Sequence, residues 1–145
     1  MMSFLKAFTT RLILMSAAVL LLNACNPTAT KIDLEPKVNQ LFSALQKGDI
    51  DTALTFYSDK FYKGIPKAEW RKRLQAFIDH MGPITSFRIR NRQADTRFSG
   101  KFFVFELETV HEGGKKAEHI LTYILPVNED KADLVAHKIT AKGFH

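Results

Sequence analysis

With 145 residues, 46% of them hydrophobic and 25% charged, the chain has the composition of one globular domain, too short for two and too apolar for disorder. Of its 21 basic residues, Lys6 and Arg11 precede residue 25 in a stretch without acids, which leaves 19 cations against 15 carboxylates, a net +4 that asks for no nucleic-acid partner. Cys25 is the one cysteine, so internal disulfides and thiolate metal sites are excluded.

Residues 1–11 end in Arg11 and lead into an uncharged apolar run from Leu12 to Leu22. At about 11 residues, or roughly 16 Å of helix, the run is too short for the roughly 30 Å hydrocarbon core of a bilayer, and it has the layout of a cleaved signal peptide. It closes on Leu22-Asn23-Ala24-Cys25, which resembles the lipobox of bacterial lipoproteins. The resemblance implies cleavage between Ala24 and Cys25, a diacylglyceryl group on the Cys25 thiol, and anchorage in the lipid bilayer through the acylated cysteine. Asn26, in place of the Asp that signals inner-membrane retention, implies outer-membrane delivery with the domain facing the periplasm. Residues 1–24 are thus read as signal peptide, 25–33 as lipidated cysteine and short tether, and 34–145 as a single domain.

In that domain Leu34, Val38, Leu41, Phe42 and Leu45 fall on one helical stripe, with Pro36 tolerated in the first turn. Gly48 ends this helix and Asp49 caps a second, whose Ile50, Ala53, Leu54 and Tyr57 share a face. Residues 58–65 hold Phe61 and Tyr62 between turn formers and read as a brief strand or irregular link. Pro66 opens a third helix carrying Trp70, Leu74, Phe77, Ile78 and Met81, closed by Gly82-Pro83.

From Ile84 the apolar period changes from 3.6 to 2, giving strands at about 84–97, 102–112, 117–127 and 132–142. The connectors are short enough for hairpins, and Gly113-Gly114 suits a two-residue turn with positive φ. The second half is therefore an antiparallel meander. Setting Arg88, Arg90 and Arg92 beside Glu106 and Glu108 requires an odd offset at the first hairpin, such as a three-residue loop with a bulge at Gly100. The inner face then reads Phe87, Ile89, Phe103, Phe105, Leu107, Ile120 and Ile124. Phe102, Val104, Leu121, Tyr123, Leu125 and Leu134 are left on an outer apolar face.

The expected fold class is α+β: three N-terminal helices packed on a four-stranded antiparallel curved sheet, preceded by a cleaved signal peptide. This order, with the segment from Val38 to Asp49 ending in Gly48-Asp49, then Ala53-Leu54 and Phe61-Tyr62, resembles the nuclear transport factor 2-like superfamily. The resemblance implies a cone-shaped domain. It also implies sheet-to-sheet dimers, and it spans isomerases, dehydratases, transport adaptors and pure binding domains. Fold alone does not choose among those functions.

No residue set spells out a reaction, so no catalytic residue and no cofactor are assigned. His80, His111, His119, His137 and His145 have no ligand spacing and read as solvated or hairpin-end residues, with His80 as a cation at a helix C-terminus, so no metal is assigned. Inner polar candidates are Tyr57, Thr109, His111 and Glu118. Arg88, Arg90, Arg92 and Arg97 read as an exposed face paired with glutamates. The outer apolar face, with Phe102, Val104, Leu121 and Tyr123 as candidate interface residues, suits a homodimer. The expected function is a non-catalytic envelope module that binds a small apolar ligand or another envelope protein. The alternative is a small isomerase- or dehydratase-type enzyme acting in the cone on a hydrophobic substrate.

Overall fold

The computed structural model describes residues 32–145. The signal peptide, the Ala24-Cys25 cleavage site and most of the tether lie outside the described residues. Leu34–His145 forms a compact unit with its own core. Its described residues build four α-helices, α1 (Glu35–Gln46), α2 (Ile50–Leu54), α3 (Asp59–Gly64) and α4 (Lys67–Met81), followed by strands β1 (Ile84–Arg97), β2 (Gly100–His111), β3 (Lys116–Pro126) and β4 (Asp133–Ala141). The strands form one antiparallel, curved, unclosed sheet in the order β1-β2-β3-β4, with the helices on one face.

The helix boundaries follow from local chemistry. Gly48 at φ +72° ends α1, and the Asp49 carboxylate accepts from Thr52 N at 3.0 Å to cap α2. Val38, Leu41, Phe42 and Leu45 of α1 and Trp70, Leu74, Phe77 and Met81 of α4 are buried, as their spacing predicts. The segment expected as a brief strand or link is instead α3. Ser58 Oγ accepts from Phe61 N at 3.3 Å, and Asp59 and Lys63 stand at the helix ends their charges favour. The same Ser58 hydroxyl donates to Leu134 O at 2.8 Å, and extended pairing is limited to one Tyr57–Leu134 bridge.

The two hairpin loops differ from expectation in a way that decides the sheet's faces. Arg97 pairs with Gly100, so the first loop is the two-residue Phe98-Ser99, and the register shift comes instead from a bulge at Arg90. The bulge splits the arginine row. Arg88 lies opposite Glu108, and Arg88 and Arg90 bond its two oxygens at 2.8 and 3.1 Å. Arg92, beyond the bulge, lies opposite Phe105 and pairs with Glu35 of α1, while Glu106 sits opposite Asn91. These bonds hold the Glu108 carboxyl below its usual pKa, the Arg88 hydrogen bond foremost.

The second loop is the three-residue turn Glu112-Gly113-Gly114, with both glycines at φ +78°. One residue more than a two-residue turn moves every β3 side chain to the opposite face. Leu121 and Tyr123, expected on the outer face, are therefore core residues, 0% and 2% exposed, as is Leu134. Ile120 and Ile124, expected inside, join Phe102 and Val104 on the outer face, where Phe102 pairs with Ile124 and Val104 with Thr122.

Gly100 is the tightest point of the sheet. Its φ is +141°, and a Cβ there would lie 2.2 Å from Leu125 O. Gly100→Ala is expected to cost roughly 2–4 kcal/mol, seen as a lower urea midpoint with unchanged slope.

Candidate functional site

The three-residue turn that inverts β3 also assembles the most polar feature of the interior. Thr109 and His111 from β2, His119 from β3, His137 from β4 and Tyr57 from the end of α2 face the helices from neighbouring positions. Leu107 pairs with His119, Leu121 with His137, and Thr109 with Ala117. Thr109, His111 and His119 are at most 1% exposed. Five hydrogen bonds then run in series. Tyr57 Oη meets His137 Nδ1 at 2.8 Å, and His137 Nε2 meets His119 Nδ1 at 3.0 Å. His119 Nε2 meets Thr109 Oγ1 at 3.0 Å, which meets His111 Nε2 at 2.9 Å, and His111 Nδ1 ends the series on Gly82 O at 2.7 Å.

Counting protons fixes the direction of every bond. The Gly82 carbonyl only accepts, so His111 Nδ1 carries a hydrogen. A neutral His111 then accepts from Thr109 at Nε2. Thr109 in turn accepts from His119 Nε2–H, His119 Nδ1 accepts from His137 Nε2–H, and His137 Nδ1 accepts from the Tyr57 hydroxyl. Five neutral groups supply one hydrogen to each of the five contacts. A further proton on any histidine would force each bond between it and Tyr57 to reverse and would leave the Tyr57 hydrogen without this acceptor.

The surroundings favour the neutral state. Phe42 meets His119 edge-on with centroids 5.0 Å apart, and Phe77 meets both His111 and His119 edge-on at 5.1 and 5.4 Å. The Tyr57 ring stacks on His137 at 5.9 Å. Burial pushes the His137 pKa down to about 3, and it lowers those of His119 and His111, with neighbouring histidines adding to the effect at His119. Burial also raises the Tyr57 hydroxyl, keeping it a donor. Two buried polar atoms close by, Trp70 Nε1 and Tyr123 Oη, make no hydrogen bond within the protein.

Of the residues singled out in the sequence, Tyr57, Thr109 and His111 belong to this network. Glu118 does not; it is exposed on the outer face. His111 and His119 are not solvated hairpin-end residues, and His119 and His137 are additions that sequence spacing alone missed. The alternative β3 phase, with Ala117, His119, Leu121 and Tyr123 on one face, carried the signal. His80 stays at the α4 C-terminus, with Nε2 3.2 Å from Lys142 O. Among the described residues no group of His, Cys, Asp or Glu is arranged to hold a metal, and no helix is long and apolar enough to cross a membrane.

No protein-family profile matches the chain, and no curated protein matches it in sequence. Among solved structures, the domain is similar to that of Bdellovibrio bacteriovorus Bd1075, with a TM-score of 0.52 and 12% identity over 78% of this chain and 41% of that one. The chain thus spans less than half of that protein's length. The likeness is one of fold alone, helices packed on a curved, unclosed sheet.

An unfolded histidine takes up a proton near pH 6.5, whereas these three stay neutral when folded, so below pH 6.5 these three sites gain protons in the unfolded chain and not in the folded one. Stability is expected to be flat from pH 7 to about pH 9 and to fall as the pH drops below 6.5, by as much as about 1.4 kcal/mol per pH unit down to about pH 3 for His137, with His119 and His111 adding in the same direction, read from denaturation midpoints. Thr109→Val, which leaves His119 Nε2–H and His111 Nε2 unmatched, is expected to cost roughly 2–5 kcal/mol. Nitrogen chemical shifts in the wild type should show Nε2–H tautomers at His119 and His137 and the Nδ1–H tautomer at His111.

Proposed function

We propose that the chain is a bacterial envelope lipoprotein, held to the membrane by acylated Cys25, whose α+β domain of nuclear transport factor 2-like type is a non-catalytic interaction module. The observation that carries the module reading is where apolar surface is left over. Between helices and sheet, Phe42 and Phe77 are at most 1% exposed and set their rings edge-on against the histidines of the network. Every ring nitrogen of the network is engaged in a hydrogen bond, so none offers a free lone pair to a substrate. On the opposite face Phe102, Val104, Ile120 and Ile124 remain partly exposed in neighbouring register positions. An apolar sheet face of this kind suits a second copy of the chain or another envelope protein.

A second reading, a small enzyme of isomerase or dehydratase type, is favoured by one observation. Buried histidines with depressed pKa values are common in acid–base sites, and Tyr57 and His137, at one end of the network, each border a surface cleft. Native mass spectrometry on residues 27–145 separates the two. A dimer without adduct supports the interaction module, and a monomer retaining a small molecule supports the enzyme. Ile120→Glu is expected to turn the dimer into monomer without lowering the melting temperature. Cys25→Ser is expected to move the protein from membrane to soluble fractions; retention in membranes after normal processing would overturn the anchor.

A further inference from the structure

The end of the sheet at the β1–β2 loop is built unlike the rest of the molecule. Every residue from Arg90 to Ser99 is exposed, so this half of β1 presents both faces to solvent beyond the cover of the helices. At its tip stands Phe98, 107% exposed, in a two-residue loop between Arg97 and Gly100. Below it Arg97 lies over the Phe102 ring at 5.5 Å and Lys101 over the Phe103 ring at 5.3 Å. The β3–β4 loop flanks the same end, because Gly100 pairs with Pro126, and it adds Val127, 58% exposed.

We propose that this hairpin tip is a membrane-contact finger, which inserts Phe98 and Val127 into the interfacial region of a lipid bilayer while Arg97 and Lys101 meet the headgroups. The tip keeps cations beside its aromatic rings: Arg97, Lys101 and Lys131 stand with Asp95, Glu129 and Asp130 on these two segments, three cations against three carboxylates. Arg97 pairs with Asp95 at 2.8 Å, an exposed pair that stays open to lipid phosphate. Aromatic tips flanked by Arg and Lys are suited to the interface, where the ring sits among acyl boundaries and the cations stay in the headgroup layer. A two-residue loop is also far too small for a stable protein–protein interface of about 1,000 Å² or more.

Placement supports it as well, and here the inference rests on the lipoprotein reading. The chain enters the domain beside this hairpin, because Glu35, the first residue of α1, pairs with Arg92. From Arg92 to Phe98 the strand projects about 20 Å, while the ten residues from Cys25 to Glu35 span up to roughly 33–36 Å. Acyl anchor and finger can therefore touch one bilayer together, giving the domain two points of contact and a fixed orientation on the membrane.

The test uses residues 32–145, a fragment that contains the entire described core and lacks Cys25, so its membrane binding reports the finger alone. In flotation with mixed phosphatidylglycerol and phosphatidylcholine vesicles, binding is expected at low salt. Phe98→Ala is expected to weaken it about ten-fold at unchanged melting temperature. Phe98→Trp is expected to shift its emission to the blue and to be quenched by brominated acyl chains, against a background from Trp70, which is 2% exposed. Equal binding by wild type and Phe98→Ala, no binding to anionic vesicles at low salt, or an unquenched Phe98→Trp would each overturn the proposal. The fate of Cys25→Ser in cells reports separately on the acyl anchor.

Discussion

The hydrogen-bonded series from the Tyr57 hydroxyl to the Gly82 carbonyl joins parts of the domain that are remote in sequence. It starts just after the helical hairpin, crosses three strands, and ends on Gly82, the residue that caps the C-terminus of α4. An interior otherwise made of aliphatic and aromatic side chains tolerates five polar ones because each finds a partner, and with all five neutral they find partners in one arrangement of protons. The series therefore acts as a specificity element. A strand slipped by one residue, or an α4 that ended one turn earlier, would strand buried imidazoles without partners.

That dependence gives the Glu112-Gly113-Gly114 turn its importance. Pro83 O accepts from Glu112 N at 2.9 Å and His111 N donates to Lys115 O at 2.8 Å, so the turn is fastened both to itself and to the end of α4. Gly82, at φ +85°, serves two purposes. It closes α4 through its own N–H on Ile78 O at 2.7 Å, and it presents its carbonyl to His111. Helix termination and network termination thus meet at one residue, which couples the helical layer to the sheet register.

The same domain distributes its exposed chemistry by distance from that core. Near the network the sheet's outer face keeps a band of partly exposed apolar residues, suited to another protein surface. At the far end of β1 the helices no longer cover the sheet, and aromatic and basic residues project together. The bulge at Arg90 divides these regimes. On one side of it arginines neutralise Glu108 within the sheet, and on the other Arg92 turns to the helix face and ties the chain's point of entry to the projecting hairpin.

What the sequence by itself determined was everything that depends on neighbours along the chain. The helical stripes of Val38 to Leu45 and Trp70 to Met81, the Gly48-Asp49 corner, the Gly82 stop and the strand spans were legible because capping, turn geometry and apolar period act within a few residues. So was the α+β order of elements. Less legible was α3, whose Ser58 cap was outweighed by the aromatic pair that follows it. The side on which β3 faces, and with it the core places of Leu121 and Tyr123 and the joining of His119 and His137 to Tyr57, Thr109 and His111, was decided only by the tertiary structure. Both phases of β3 carry apolar residues, so its own pattern does not choose, and the choice turns on one residue in a loop. The winning register is the one in which His111, His119 and His137, with Thr109 and Tyr57, satisfy one another's hydrogen bonds beneath the helices.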